Sequence, residues 1–198
     1  PEGQVWDGVK SIEGGLDRLS EAERAMEDPD TPLSGWSLDP IYMNNQRVNR
    51  QDLDKVSGTR PIGVLHASGH ILNVNSKALQ MAGLLKPAIN HPGIPLGDDG
   101  LPTGELYGPD AMTPVAGFVG YDRAMTDCDE RGLVDYAKLC VRAGVTTSTD
   151  LASRLTDESV AMLLDVTGRD RFPLRVVPLR IFLGMTPDSA NKTTHWVT

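Results

Sequence analysis

Two histidines four residues apart, His66 and His70, enclose a serine in His66-Ala67-Ser68-Gly69-His70. A neutral imidazole can ligate a metal, and one that titrates near neutrality can move a proton, so this stretch is the first place to look for chemistry. Two histidines do not complete a catalytic zinc centre, which usually takes three protein ligands, and neither HxH nor HExxH occurs in the chain. A substrate-facing or hydrogen-bonding role for His66 and His70, shared with Ser68 and Asn75, stands beside a purely structural one. Ser68 next to a histidine invites a nucleophile reading. The GxSxG elbow is absent, however, and no third member can be named. His91, beside Pro92, and His195 read as ordinary loop residues.

Two acids are further candidates. Asp150 directly follows a strand expected over 145–149, and in a parallel α/β barrel the carboxyl ends of the strands face the active site, which gives Asp150 a catalytic reading. The alternative is a cap on the next segment. Glu105 follows Thr103-Gly104, where a carboxylate could bind a metal or polarise water, against the plainer reading of a solvated turn acid. Gly97-Asp98-Asp99-Gly100 carries acids where a phosphate would need amides and cations, so no phosphate cradle is expected.

These residues need elements to hold them. A buried strand over 61–65 leads into the histidine loop, then an Asn73/Asn75/Ser76 cap, then a helix with Ala78, Leu79, Ala82 and Leu85 on its apolar side. Upstream, Val5, Val9, Ile12, Leu16, Leu19, Ala22 and Met26 recur at helical intervals over 1–27, although Gly14-Gly15 weakens the middle. Pro29 and Pro32 break that helix and mark a boundary near residue 30. A short strand is expected over 41–43, and a helix opens at Asn49 as N-cap with Asp52 in its first turn. Residues 86–104 hold too much Pro and Gly for regular structure, and such a loop is usually functional or mobile. A short strand over 105–107 is ended by Gly108-Pro109-Asp110.

From residue 126 the pattern becomes helix, strand, helix, strand. Asp127 or Asp129 caps a helix bearing Leu133, Ala137, Cys140 and Val141, and Gly144 ends it. Thr156 caps a helix over 157–167 with Val160, Leu163 and Leu164, Gly168 ends it, and a strand follows over 174–183 with Pro178 as a blemish. Short connections of this kind predict right-handed crossovers and a parallel sheet.

The chain has 198 residues, 39% of them hydrophobic, and a net charge of -8. Without a Lys/Arg cluster that balance argues against a nucleic-acid footprint or an anionic-membrane surface. No apolar run approaches the ~18 residues needed to span a bilayer. Cys128 and Cys140 make a poor disulfide framework, so a reducing, cytoplasmic setting is expected. The chain opens on Pro1-Glu2-Gly3-Gln4 without a basic and apolar leader, as a mature product or a piece of something longer would.

In order, Gly35-Trp36, Leu53-Asp54, Arg60-Pro61-Ile62, His66-Ala67-Ser68-Gly69-His70, Asn75-Ser76-Lys77-Ala78-Leu79, Asp99-Gly100-Leu101-Pro102-Thr103-Gly104, Ala143-Gly144-Val145-Thr146-Thr147 and Asp150 resemble amidohydrolase family 3. This group of metal-dependent hydrolases includes N-substituted formamide deformylase. The resemblance implies a (β/α)8 barrel with one or two divalent metals, zinc foremost, that activate water against an amide-type C–N bond. It also implies an α/β module inserted over the active-site mouth, with His66 and His70 as lid or substrate-facing residues. The family's HxH would lie upstream of Pro1 and its later histidines and aspartate beyond Thr198. A metal-bridging glutamate would fall where this chain has Gly108, and Glu105 stands three residues too early.

The expected fold is therefore α/β, a partial metal-dependent-hydrolase (β/α)8 barrel with an inserted mixed α/β module. Its segments are 1–30 (barrel-associated helix), 31–125 (inserted module) and 126–198 (partial barrel). The expected function is that of a fragment of a metal-dependent amidohydrolase acting on a small amide-type substrate, inactive and metal-free alone, with neither nucleic acid nor membrane as partner. A non-catalytic binding or regulatory module is the alternative, and a homo-oligomer that pairs incomplete sheet edges is a third option.

Overall fold

The computed structural model describes residues 9–121, 129–153 and 155–180, with Thr186 and Asp188. It divides into two compact units, the first ending at Ala124 and the second beginning at Met125.

In the first unit, Leu33–Leu38 (β1), Ile62–His66 (β2), Ile71–Val74 (β3) and Glu105–Tyr107 (β4) form one sheet in the order β1-β2-β3-β4. The β1/β2 pair is parallel and the other two are antiparallel. All five residues of β2 are buried, because both faces of the sheet are covered. Ile62 and Val64 point to one face and meet Leu33, Val48 and Leu53, with Ile12, Leu16 and Leu19 of the first helix packed on them. Leu65 points to the other, with Leu72, Val74 and Leu106, under Ala78, Leu79, Ala111 and Val115. Successive side chains of a strand alternate in direction, and this splits one apolar run between two cores. Leu53, Ile62, Leu72, Leu79 and Leu106 are each fully buried, a contribution of about 1.5–3 kcal/mol apiece.

The covering helices are Ile12–Arg24 (α1), Arg50–Asp54 (α2), Ser76–Met81 (α3) and Gly108–Ala116 (α4). Ser11 caps α1 by accepting from the Gly14 amide at 3.1 Å, and Gly14-Gly15 stay inside the helix, which packing on β1 sustains despite their weak propensity. Asn49 and Asp52 form a reciprocal capping box on α2. Tyr121 ties the sheet from one face: its hydroxyl accepts from the Leu65 amide at 2.9 Å and reaches the carbonyls of Gly35 and Gly63.

Several expectations need correcting here. Residues 41–43 form no strand, since Pro40–Met43 is a 3-10 turn that Asp39 caps by accepting from the Ile41 amide at 3.1 Å. Proline, with no N–H and a fixed φ, starts a helical turn better than it starts a strand. The strand lies earlier, in β1, and takes in Gly35-Trp36. Asn73 belongs to β3 and not to a cap, and α3 ends at Met81, before Leu85. Helix α4 follows β4 at once, with Pro109 in its first turn and Pro114 inside it.

The second unit has its own core of Ala137, Cys140 and Leu174. Glu130–Arg142 (α5), Thr147–Ser153 (β5), Asp157–Thr167 (α6) and Arg175–Arg180 (β6) follow in order, capped by Asp129 and Thr156, and β5 pairs with β6 in parallel. The strand expected over 145–149 begins two residues late, because the Val145 amide closes the end of α5 on the Cys140 carbonyl at 2.9 Å. The strand also runs on to Ser153, so Asp150 lies within β5. Of the expected strand over 174–183, residues 181–183 fall outside the described residues, as do Asp127, Cys128 and His195.

The fold is mixed α/β with open sheets, and no barrel closes among the described residues. No described helix is long and apolar enough to cross a membrane.

Candidate functional site

The spacing of the two histidines is that of a hairpin. The Gly69 amide bonds the His66 carbonyl at 2.9 Å, and the turn places Ser68 and His70 in solvent while His66, closing β2, is only 4% exposed. The His70 amide donates to Ser68 Oγ at 3.3 Å. His66 Nε2 lies 2.6 Å from Asn73 Oδ1, and Asn73 Nδ2 donates to the Val48 carbonyl at 2.6 Å.

Across the next pair of strands Asn73 stands opposite Glu105. Glu105 is 6% exposed and both its oxygens are engaged. Oε1 accepts from Arg47 Nη1 at 3.0 Å and Oε2 from the Tyr107 hydroxyl at 2.7 Å; Arg47 Nη1 also lies 3.2 Å from that hydroxyl. The guanidinium carbon of Arg47 is 6.0 Å from the Tyr107 ring centroid. Burial first, and then the Glu105 carboxylate, push the Tyr107 phenol above its ordinary range, and Glu105 also raises Arg47. Alternation puts His66, Asn73, Glu105 and Tyr107 on one sheet face, the face that is apolar at Ile62 and Val64. The result is a polar strip crossing β2, β3 and β4, with Arg47 at its exposed end.

Arg47, Asn73 and Tyr107 were not singled out for this role by the sequence. The signal was there for Tyr107: Glu105 and Tyr107 are two apart in a strand and must share a face. Asn75, expected to face substrate, is fully buried. Its Oδ1 accepts from the amides of Ile62 and Ala78, both at 3.0 Å, and its Nδ2 donates to the carbonyls of Ser57 at 2.9 Å and Arg60 at 2.8 Å. All of its polar capacity holds α3 and β2 together.

The Asp99–Gly104 motif is a clasp. The Arg50 amide donates to Thr103 O at 2.6 Å, its Nε donates to Pro102 O at 2.8 Å, and its guanidinium pairs with Asp99. Asp99 Oδ1 in turn accepts from the Leu101 amide at 3.0 Å. Gly104 has φ +96, and a Cβ there would sit 2.5 Å from the Val74 carbonyl oxygen and 2.8 Å from the Arg50 nitrogen, so only glycine fits.

Asp150 is exposed, paired with Pro178 in register, and the regular ladder breaks just after it. It does not directly follow the strand, as expected, since β5 continues to Ser153. Among the described residues no group of three or more His, Cys, Asp or Glu side chains could hold a metal ion. Glu105, with one oxygen on Arg47 and the other on Tyr107, is committed elsewhere. The described residues therefore do not fit a divalent metal centre.

The amidohydrolase family model matches residues 3–196, and the chain belongs to that family. Among solved structures it is similar to two described as uncharacterized metal-dependent hydrolases. One is from Pyrococcus horikoshii OT3 (16% identity, TM-score 0.48, 93% of this chain and 33% of that one), the other from Pyrococcus furiosus (17%, 0.49, 96% and 35%). The chain thus spans about a third of the length of either structure. Comparison with curated proteins gives no match.

Proposed function

We propose that the chain is a portion of a metal-dependent amidohydrolase, comprising part of a (β/α)8 barrel and an inserted α/β module. The whole enzyme hydrolyses an amide-type C–N bond of a small molecule through water activated by a divalent metal, zinc foremost. The reaction class rests on family membership.

The observation that carries the architectural part is the state of β5. Parallel strands are normally covered on both faces. Here Thr147, Thr149, Asp150 and Leu151 are exposed, residues of both faces, and Leu151 is 70% exposed. A parallel pair in this state calls for further strands and cover, which a barrel supplies. The resemblance to the family puts its HxH and its later histidines and aspartate outside this sequence, so on this reading the metal is held by other parts of the enzyme and the chain alone is inactive. The module's contribution is the rim formed by His66, Ser68, His70 and Arg47. Neither nucleic acid nor membrane is a partner at net charge -8, and a cytoplasmic setting accords with the free, buried Cys140.

A second reading, a binding or regulatory module that has lost the chemistry, is favoured by Gly108 standing where the family carries a glutamate. Turnover separates the two. A longer product of the same gene should hydrolyse small amides with zinc present while the 198-residue chain does not. A longer product that binds amides without turnover supports the second reading.

A further inference from the structure

We propose that Asn73 is a positioning residue: it holds His66 in the tautomer protonated at Nε2, so that Nδ1 presents a lone pair to an N–H of the ligand. The class of ligand, an amide with a free N–H, rests on the amidohydrolase reading above; the tautomer does not.

The argument starts from the Asn73 amide, which could face either way. The Val48 carbonyl only accepts, so the 2.6 Å contact to it identifies Nδ2 and turns Oδ1 toward the imidazole. Oδ1 also only accepts, so the 2.6 Å contact to His66 requires the proton on Nε2. A neutral imidazole has one ring proton, and Nδ1 is left with the lone pair.

Nδ1 makes no hydrogen bond within the described residues. Yet among those residues no fully buried side-chain nitrogen or oxygen lacks a partner. Both statements hold only if Nδ1 is not fully buried, in a ring whose chain neighbours Ala67 and Ser68, with His70, are exposed. A fixed acceptor at a rim selects for donors. A carboxylate or carbonyl oxygen would meet the lone pair head-on, whereas an amide N–H completes it. Since Asn73 and Val48 set the tautomer in the free protein, the ligand does not bear the cost of selecting it.

The test is nitrogen NMR of the 198-residue chain labelled with 15N-histidine, well above the usual imidazole titration range of about pH 6.5. His66 should show a protonated Nε2 and an unprotonated Nδ1. N-methylacetamide should move the His66 Nδ1 resonance more than those of His70 and His91. Asn73→Ala should give a mixture of tautomers and a several-fold smaller response to the probe. Asn73→Asp, which keeps an acceptor toward Nε2, should restore the Nε2–H form; if the alanine variant does not fold, this variant and the wild-type chain decide. A wild-type His66 protonated at Nδ1, an aspartate variant that loses the Nε2–H form, or an Nδ1 unmoved by concentrated N-methylacetamide would overturn the proposal. Failure of the longer gene product to hydrolyse amides, with tautomer and probe response intact, would count against the enzymatic reading alone.

Discussion

The Arg50 guanidinium holds Asp99, 49 residues further along the chain, while the Arg50 backbone amide and Nε hold Thr103 and Pro102 of the same turn. The side chain of Arg50 is 9% exposed and that of Asp99 43%, so the ion pair is partly screened and the hydrogen bonds from the buried fork matter more. The clasp makes residues 97–104 a fixed wall of the module.

Arg50→Ala should therefore destabilise the first unit by about 2–4 kcal/mol, mostly by leaving the Pro102 carbonyl without a donor and Asp99 without its partner, while the backbone bond to Thr103 stays. Arg50→Lys should fall between, because it keeps charge and loses the fork. Urea denaturation followed by hydrogen exchange at Val74 and Tyr107 measures this. A loss under about 0.5 kcal/mol, the range of an ordinary surface change, would show that the clasp is not structural.

Burial pushes the Tyr121 phenol up to about 12 from 10.0. The folded state thus keeps the proton over a range where the unfolded chain loses it. The associated stability is complete below about pH 10 and disappears as pH rises from there to about 12, amounting to about 2–3 kcal/mol for a shift of this size. Tyr121→Phe should flatten the alkaline limb while costing about 1–2 kcal/mol at neutral pH, since the Leu65 amide loses its acceptor. Unfolding free energy against pH for the two proteins is the measurement.

In the second unit Arg169 Nη2 lies 3.2 Å from Glu130 Oε2 and 2.5 Å from Asp165 Oδ2, and it holds the Glu130 carboxyl below its usual range. A depressed carboxylate stabilises above its unfolded value and loses that contribution as pH falls through the folded one. The group is solvent-exposed, so the effect is small and fades in salt. Arg169→Ala should remove this part of the acid dependence, visible as a shallower loss of helical circular dichroism at low ionic strength.

Gly108 has φ +75, and a Cβ there meets nothing within 4 Å. Room for a Cβ exists, but the backbone disfavours any L side chain by about 1–2 kcal/mol. Gly108→Glu should fold with a melting temperature several degrees lower, and Gly108→Asn should lose less. A variant at least as stable as the parent would mean that the turn relaxes.

The sequence disclosed elements wherever a local signal agreed with packing. Asn49 with Asp52, and Thr156 before Asp157, are caps that the chain itself announces, and the apolar run at 61–65 reads as the buried strand that β2 is. It misled where tertiary contacts decided the outcome. Asn73 carries turn chemistry, yet β2 and β4 on either side recruit it into a strand. Asn75 does cap α3, as its place before Ser76 announces, but its further bonds to Ile62, Ser57 and Arg60 depend on where distant backbone comes to rest. The polar strip joins Arg47 to Glu105 across 58 residues, a separation no periodicity reports. Asp150 lies in the strand interior because β5 runs on past it to Ser153 in its pairing with β6, while the end of α5 claims Val145 at the other end.

Metal content tests the central claim most directly. The purified 198-residue chain and a longer product of the same gene, both dialysed against trace zinc, should differ: the longer protein should retain one or two divalent ions per chain and hydrolyse small amides, and the 198-residue chain should retain none and be inactive. Stoichiometric zinc on the 198-residue chain together with amide turnover would contradict the account.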